Sequence, residues 1–497
     1  LQREGNTSTI WHCFITNTFS KSYHFFYLLP VYSEHLFQTY STNTAVINEE
    51  GTPFFYHDLF SLAEEIYSHL GHRCLVFSFC SNSIESLAGY IAFLSHKVVP
   101  LLLDATMDSE LVKKLISVYQ PEYLWIPTSH ICDFDTWERL LSQGNYTLIR
   151  LQVEVPFPLH DNLALLLTTS GSTGSPKLVR LSYENLSANA ESIAEYLDIN
   201  GEERPITTLP MHYSFGLSVI NSHLLKGASL LLTNRSLMEK EFWSFLKSGE
   251  ATSLSGVPYT FEMLKKLRFF RLDLPHLKTL TQAGGKMNID LNREFAEFCH
   301  SHDKQLFVMY GQTEATARMS YLPPQYALSK LGSMGIAIPG GEFSLIDEKG
   351  KTILASEEVG ELVYKGRNVS LGYAESGHDL IKGDENKGTL ITGDLAKRDA
   401  DGFYYIVGRK KRFIKIFGNR VNLDETERLL KNIISECACT GTDDHMLIYI
   451  NDLSRRDEVI HYISTKTGIH PQAFSVKYID RIPKNSSGKT IYSRLIA

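Results

Sequence analysis

The sequence predicts an α/β protein: a large N-terminal domain of parallel, doubly wound sheets with a small β-rich subdomain, followed by a small α+β C-terminal domain. Three observations carry this. Between about His57 and Tyr310, short apolar runs alternate with helix-patterned segments, and strands alternating with helices imply parallel sheets covered on both faces. The run Leu163–Leu167 is apolar at every position, as a strand buried on both sides should be. After about Gly332 the texture turns to glycine and short β-rich segments, and it changes again after the basic cluster Arg409-Lys410-Lys411-Arg412. A chain of 497 residues is too long for one compact core in any case.

The elements follow in order. Leu59, Leu62, Ala63, Ile66 and Leu70 have helical spacing, with Gly71 as the expected C-cap. Strands are expected at Cys74–Cys80, Val98–Leu103, Leu163–Thr168, Ser229–Thr233 and Leu306–Met309, and helices at Ile84–Leu94, Glu184–Tyr196 and Glu239–Leu246. The β-rich stretch offers strands at Glu342–Ile346, Gly360–Tyr364, Gly388–Thr392 and Phe403–Val407, a mostly antiparallel set. Beyond it, strands near Phe413–Ile416 and Met446–Ile450 and helices near Leu423–Ile434 and Arg456–Thr467 make the last unit, joined by a charged linker. The expected division is therefore 1–44 as an N-terminal segment with no fold assigned, 45–408 as the large domain (its β-rich subdomain about 332–408), and 409–497 as a mobile C-terminal domain.

Composition excludes several classes of function. Hydrophobic and charged fractions of 43% and 21% suit a globular protein. A net charge of −7 argues against a nucleic-acid binder, since no general polyanion surface is implied. It leaves a nucleotide site open, because such a site needs only local donors. The seven cysteines are scattered, odd in number and lack metal-ligand spacing, Cys437-Ala-Cys439 being the closest pair. Reduced thiols in a cytoplasmic protein are expected. No apolar run reaches the roughly eighteen residues of a membrane span. Phe14–Pro30 is aromatic but broken by polar residues and lacks a secretory-signal layout. The chain begins with Leu1 rather than Met, and nothing functional is read from its first thirty or so residues.

The strongest chemical signal is Thr168-Thr169-Ser170-Gly171-Ser172-Thr173-Gly174-Ser175-Pro176-Lys177, expected to connect the buried strand to a helix. Its glycines let the backbone approach an anion, its hydroxyls and amides donate, and Lys177 adds a point charge. It is a polyphosphate cradle, but not a P-loop, because Pro176 stands where that motif requires glycine. A second string, Pro483-Lys484-Asn485-Ser486-Ser487-Gly488-Lys489-Thr490, ends like a P-loop but leaves no room for the rest of an NTPase domain. What survives is Lys489 on a glycine-loosened loop of a mobile domain, able to be delivered to a phosphate and withdrawn.

Together these strings resemble the adenylate-forming (AMP-binding) superfamily, which includes acyl-CoA synthetases, peptide-synthetase adenylation domains and luciferases. The resemblance spans roughly residues 45–497, with motifs in the same order. The phosphate loop matches at Thr169, Ser170, Gly171, Ser172, Thr173, Gly174 and Lys177, with Leu178 in place of a usual glycine. Tyr310-Gly311-Gln312-Thr313-Glu314 resembles the YGxTE string. The resemblance gives Tyr310 the adenine, Thr313 the α-phosphate and Glu314 the Mg²⁺; a carboxylate suits that hard ion and an aromatic face suits a purine. Ala283-Gly284-Gly285-Lys286 resembles the glycine turn beside adenine, with Lys286 where a small residue is usual. Thr392-Gly393-Asp394 resembles the ribose-binding TGD motif, and Gly408-Arg409 opens the hinge motif, whose arginine reaches the nucleotide. The pivot falls on Lys411, and Gly418-Asn419-Arg420-Val421 resembles the segment that enters the site during thioester formation.

Leu209-Pro210-Met211-His212-Tyr213-Ser214-Phe215-Gly216 resembles the motif that gates the carboxylate. The histidine, His212, stands one place earlier than usual, before Tyr213, so either side chain is a candidate for the pocket. Amino-acid-activating members carry an aspartate at the position of Gly216; without it an ammonium would lie unpaired, which disfavours α-amino acid substrates.

The resemblance implies ATP-dependent activation of a carboxylic acid as an acyl-adenylate, release of pyrophosphate, and transfer to the thiol of coenzyme A. Two alternatives remain at this stage: a free-standing adenylation enzyme that loads the phosphopantetheine of an acyl carrier protein, and a catalytically inactive nucleotide-binding homologue. Lys489, Glu314 and Thr173 are the catalytic candidates, with ATP, Mg²⁺ and coenzyme A as cofactors.

Overall fold

The computed structural model describes residues 32–130, 137–168, 177–417, 419–484 and 490–495, with backbone alone at 411, 419, 420 and 493. Among these residues the chain forms two large mixed sheets, an antiparallel sheet and a C-terminal group of small sheets and helices.

The first large sheet is centred on four parallel strands, in the spatial order Leu163–Thr168, Val99–Asp104, Leu75–Cys80 and Tyr123–Pro127. They are buried at nearly every position, the expected result of covering both faces. Antiparallel strands flank them: Leu178–Ser182 and Gly372–Ala374 on one side, Tyr146–Arg150 and Glu138–Gln143 on the other. In the second sheet, Gln305–Tyr310, Thr279–Gln282, Ser253–Gly256, Pro205–Ile206, Leu230–Leu231 and Thr44–Ile47 run parallel. Short antiparallel strands close both of its ends. Both sheets are thus parallel at the centre and antiparallel at the rims.

One apolar cluster joins the two sheets. It takes Val76, Leu102 and Leu165 from the first, Val46 and Leu230 from the second, and much of the helices Ile84–Ser95 and Ser214–Leu224. Both helices are buried around most of their circumference, so they carry apolar residues on every side. Among their buried polar residues, Asn221 accepts from the hydroxyls of Tyr32 (2.7 Å) and Tyr90 (3.2 Å). Tyr32 and Phe37 are buried in the same core, beside the helix Glu34–Thr39 that Ser33 caps.

The β-rich stretch forms a five-stranded antiparallel sheet, including Gly341–Ile346, Gly360–Gly366, Thr389–Arg398 and Tyr404–Arg409. After it come the hairpin Phe413–Ile416/Asn419–Asn422, the helices Leu423–Leu430 and Arg456–Thr467, and a three-stranded sheet. Two strands of that sheet, Cys437–Thr442 and Phe474–Tyr478, have no counterpart in the sequence reading.

Two expectations need correction. The helix predicted to stop at Gly71 ends at Ser68 with His69 as its C-cap; Gly71 (φ 73°) lies in the turn beyond. The phosphate loop does not lead into a helix either. Leu178–Ser182 returns as a strand antiparallel to Leu163–Thr168, and the helix starts only at Tyr183. The strands on either side of the loop are therefore antiparallel neighbours, and β-branched and apolar Leu178-Val179 read as strand for good reason. The functional motifs cluster at carboxyl ends of parallel strands, where helices and loops diverge and leave a crevice: Thr168, Asp104, Gln282 and Tyr310 each end one.

Candidate active site

The carboxyl end of the strand Gln305–Tyr310 and the antiparallel sheet converge on Asp394. This carboxylate is 5% exposed. Its Oδ2 accepts from the Tyr310 hydroxyl (2.5 Å) and from Gln312 Nε2 (2.8 Å). Arg409, its cross-strand neighbour, places Nε 3.6 Å from Oδ1 while most of its side chain stays exposed. Burial raises the Asp394 carboxyl above its usual range, opposed by the Tyr310 hydrogen bond and the Arg409 charge. Tyr310 is raised as well, first by burial and then by the Asp394 charge. Gln312 also donates to the Thr392 carbonyl (3.0 Å), which locks the Tyr310 and Thr392 motifs together. The sequence reading gave it no role.

The next residues form a row. Gly311 has no room for a side chain, since a Cβ would lie 1.7 Å from the Ala317 carbonyl oxygen. Thr313 Oγ1 is 3.3 Å from Ser214 Oγ, at the start of the helix Ser214–Leu224. Glu314 Oε1 accepts from the Tyr373 hydroxyl (2.8 Å). The Tyr373 ring carries Lys177 Nζ 3.6 Å from its centroid, a cation–π contact. Tyr373 thus bridges the lysine that ends the phosphate loop and the carboxylate of the YGxTE string; no local motif marks it. Thr316 follows at φ 68°, a rare conformation for a β-branched residue, held by its hydroxyl on the Asn368 carbonyl (2.7 Å).

On the other side of the row, Gly284 adopts φ 83°, and a Cβ there would lie 2.8 Å from the Tyr213 hydroxyl oxygen. Tyr213, not His212, therefore faces the glycine turn. Burial pushes the Tyr213 hydroxyl up to about 12. His212 points elsewhere: Nε2 is 3.6 Å from Asp104 Oδ2, and Nδ1 is buried without a hydrogen-bond partner among the described residues. Burial lowers its basicity, opposed by Asp104. Gly285 packs on Pro258, and Lys286 Nζ donates to the Ile406 carbonyl (3.0 Å), tying the turn to the antiparallel sheet. Gly216 is buried in the helix, where a Cβ would lie 2.3 Å from the Pro210 carbonyl oxygen.

The family model for AMP-binding enzymes matches residues 34–374, which include this row. The chain belongs to that family. Among curated relatives, the AMP-binding enzyme is 28% identical over 349 residues to a feruloyl-CoA synthase of Amycolatopsis sp, covering 67% of this chain and 69% of that one. It is 27% identical over 345 residues to a 2-succinylbenzoate–CoA ligase of Bacillus licheniformis, covering 67% and 70%. Its fold matches an o-succinylbenzoate CoA synthetase of Bacillus subtilis, in complex with the acyl-adenylate intermediate, at a TM-score of 0.78 and 21% identity, covering 94% and 98% of the two chains.

Within this AMP-binding enzyme, the predicted site residues make separate contacts: Lys177 and Glu314 meet through Tyr373, Tyr310 and Arg409 meet at Asp394, Thr313 meets Ser214, Gly284 meets Tyr213, and Gly285 packs on Pro258. Thr169, Ser170, Gly171, Ser172, Thr173, Gly174, Gly418 and Lys489 lie outside the described residues. Lys411 sits in the single turn Lys410–Arg412. Its two neighbours are held in opposite directions: Lys410 pairs with Glu361 of the antiparallel sheet (2.8 Å), while Arg412 pairs with Asp424 (2.8 Å) and Glu427 (2.7 Å) and stacks on Tyr492 (3.8 Å). The basic run is therefore not the wholly solvated linker its charge suggests.

The donors fit a nucleotide and one hard cation. Among the described residues Glu314 keeps Oε2 free of hydrogen-bond donors, one carboxylate oxygen of the kind Mg²⁺ takes alongside phosphates. Away from this row, His72, Cys74 and Glu122 bring one ligand atom each within 4.8 Å of one another, a grouping that sequence spacing cannot show because Glu122 precedes a different strand. A separate polar cavity of about 780 Å³, bordered by Lys97, Glu184, Lys365 and Arg367, shares no residue with the site. No helix among the described residues is long and apolar enough to cross a membrane.

Proposed function

We propose that this chain activates a small-molecule carboxylic acid with ATP, releases pyrophosphate, and passes the acyl group from the adenylate to coenzyme A. The observation that carries this reading is the Lys177–Tyr373–Glu314 bridge, which joins a phosphate-loop cation to a metal-suited carboxylate beside the Asp394 pocket. Relatives named as CoA ligases support coenzyme A as acceptor.

In this mechanism Asp394 receives the ribose hydroxyls, Tyr310 lies against adenine, and Gly284 and Gly285 let the base approach the backbone. Thr313, Lys177 and the loop hydroxyls, Thr173 among them, hold the phosphates in line for attack by the substrate carboxylate. Most of the rate comes from positioning and charge neutralisation, and no protein nucleophile is needed. Glu314 would hold Mg²⁺, which when bound would supply positive charge for the pyrophosphate leaving group. Lys489 adds its charge in the first half-reaction; rotation about Lys411 then withdraws it and brings in the Gly418 segment for thiolysis. The fixed ion pairs on either side of Lys411 support that residue as the pivot, because they leave it as the link between two anchored cations. A cytoplasmic location fits the free, buried thiols of Cys74, Cys80, Cys299, Cys437 and Cys439.

The test is pyrophosphate release across short, medium, long, aromatic and amino acids, with and without coenzyme A. Lys489→Ala should lower adenylate formation roughly a hundredfold or more yet still convert a supplied acyl-adenylate to thioester. Near wild-type adenylation by that variant would overturn the assignment of Lys489.

A further inference from the structure

Arg318, four residues beyond Glu314, is 2% exposed. A guanidinium stays charged in any protein setting, and a buried charge is retained at large cost unless it is paired. Its partners among the described residues are all neutral. Nε donates to Ser218 Oγ (3.0 Å), Nη1 donates to the Tyr196 hydroxyl (3.2 Å) and approaches Met309 Sδ (3.6 Å), and the group lies 5.0 Å from the Phe215 ring centroid. Nη2 has no hydrogen-bond partner, and no carboxylate pairs with Arg318 among the described residues.

The place is as telling as the charge. Phe215 belongs to an apolar cluster with Leu209, Val219, Val257, Ala283 and Met309, and Tyr213 packs against that cluster. The Tyr213 and Phe215 rings meet edge-on at 6.4 Å, and Tyr213 in turn touches Gly284. Two aromatic rings, Tyr213 and Phe215, therefore separate the glycine turn of the nucleotide site from an unpaired buried cation. His223, on the same helix, supplies no compensating charge; burial and the Arg318 charge keep it neutral, lowered to about 4.

We infer that Arg318 forms the far end of the acyl site and takes a second carboxylate, so that the substrate is a dicarboxylic acid activated at one end and held at the other. This rests on the acid-activating reading above. An arriving carboxylate would supply the missing anion and engage the free Nη2, a charge-assisted contact that arginine makes in forked geometry. The same cation repels an ammonium, which adds to the effect of the bare Gly216.

The experiment compares malonate, succinate, glutarate, adipate and isophthalate with the monocarboxylate of matching skeleton, by pyrophosphate release, on wild type, Arg318→Met and Arg318→Lys. At one or more skeletons the wild type should favour the diacid at least tenfold in kcat/KM. Arg318→Met should lose that preference and Arg318→Lys should keep part of it. Preference for the monoacid at every skeleton, or a diacid preference unchanged in Arg318→Met, would overturn the inference. If Arg318→Met does not fold, the wild-type ratios and Arg318→Lys decide by the same criteria. Thermal shift with the diacids alone separates the two readings. Should no acid release pyrophosphate, activation itself has failed; a diacid-dependent shift absent from Arg318→Met would still uphold the subsite, and its absence in wild type would overturn it.

Discussion

Arg180 and Arg318 are both fully buried, and the chain treats them in opposite ways. Arg180, in the strand Leu178–Ser182, donates to the carbonyls of Tyr373 (3.0 Å), Leu371 (3.2 Å) and Gly383 (3.3 Å) and to that of Lys382, and pairs with Glu385 (2.5 Å). Its partners arrive from nearly two hundred residues away in sequence, and they fix the strand that carries Tyr373 next to the phosphate loop. Arg318 receives two hydroxyls, a thioether and a ring. Where a buried cation serves the fold, the fold provides its anion. Where it does not, something outside the chain has to.

The sharpest way to break this comparison is Arg180→Met. That variant strands four carbonyls and a carboxylate; because Glu385 is half exposed, the loss belongs at the lower end of the range for a broken buried pair, about 3 kcal/mol. Urea unfolding measures it, and a loss under 1 kcal/mol would refute a structural role for Arg180. Next in size is the discrimination against amines. A plain acid should exceed its 2-amino derivative at least tenfold in pyrophosphate release, about 1.4 kcal/mol. Gly216 offers no carboxylate, and Gly216→Asp cannot restore one, because its Cβ would meet the Pro210 carbonyl oxygen at 2.3 Å.

A smaller effect concerns the buried anion, Asp394. Its folded-state pKa is raised, chiefly by burial. The native state therefore holds this proton more tightly than the unfolded chain does. Stability from this group is present below the unfolded pKa and is lost as pH rises through the folded one. Asp394→Asn should consequently gain on the wild type in melting temperature as pH climbs through the carboxylate range, and then level off. A difference that stays constant over that range would contradict the raised value. Smallest of all is Arg318→Met in the absence of ligand. Removing an unpaired cation offsets the two hydroxyls it leaves unpaired, so stability should change by no more than about 1 kcal/mol. A loss matching that of Arg180→Met would collapse the distinction between the two arginines.

These contrasts mark what the sequence could and could not reveal. Tyr310, Glu314 and Gly284 are legible because each stands in a short string at or just past the end of a strand, and Asp394 because it stands in one inside Thr389–Arg398. The apolar run Leu163–Leu167 likewise announced a two-sided burial that the structure contains. Tyr373 and Gln312 were missed because their importance lies in partners far along the chain. Arg318 looked like any polar residue past a motif, since periodicity says nothing about whether an anion from elsewhere will reach it. The strand after the phosphate loop differs from expectation for a related reason: a Ser/Gly/Thr-rich sequence is compatible with a strand or a helix next, and pairing with Leu163–Thr168 decides it.

The meeting of Gly284 and the Tyr213 hydroxyl has a historical consequence. At position 284 any side chain is disfavoured twice, by φ 83° and by the 2.8 Å approach of that oxygen. A lineage that shrank Tyr213 would lift only the second of these obstacles, and the left-handed backbone would still hold position 284 to glycine. The glycine is therefore guarded twice over, and losing the tyrosine does not release it.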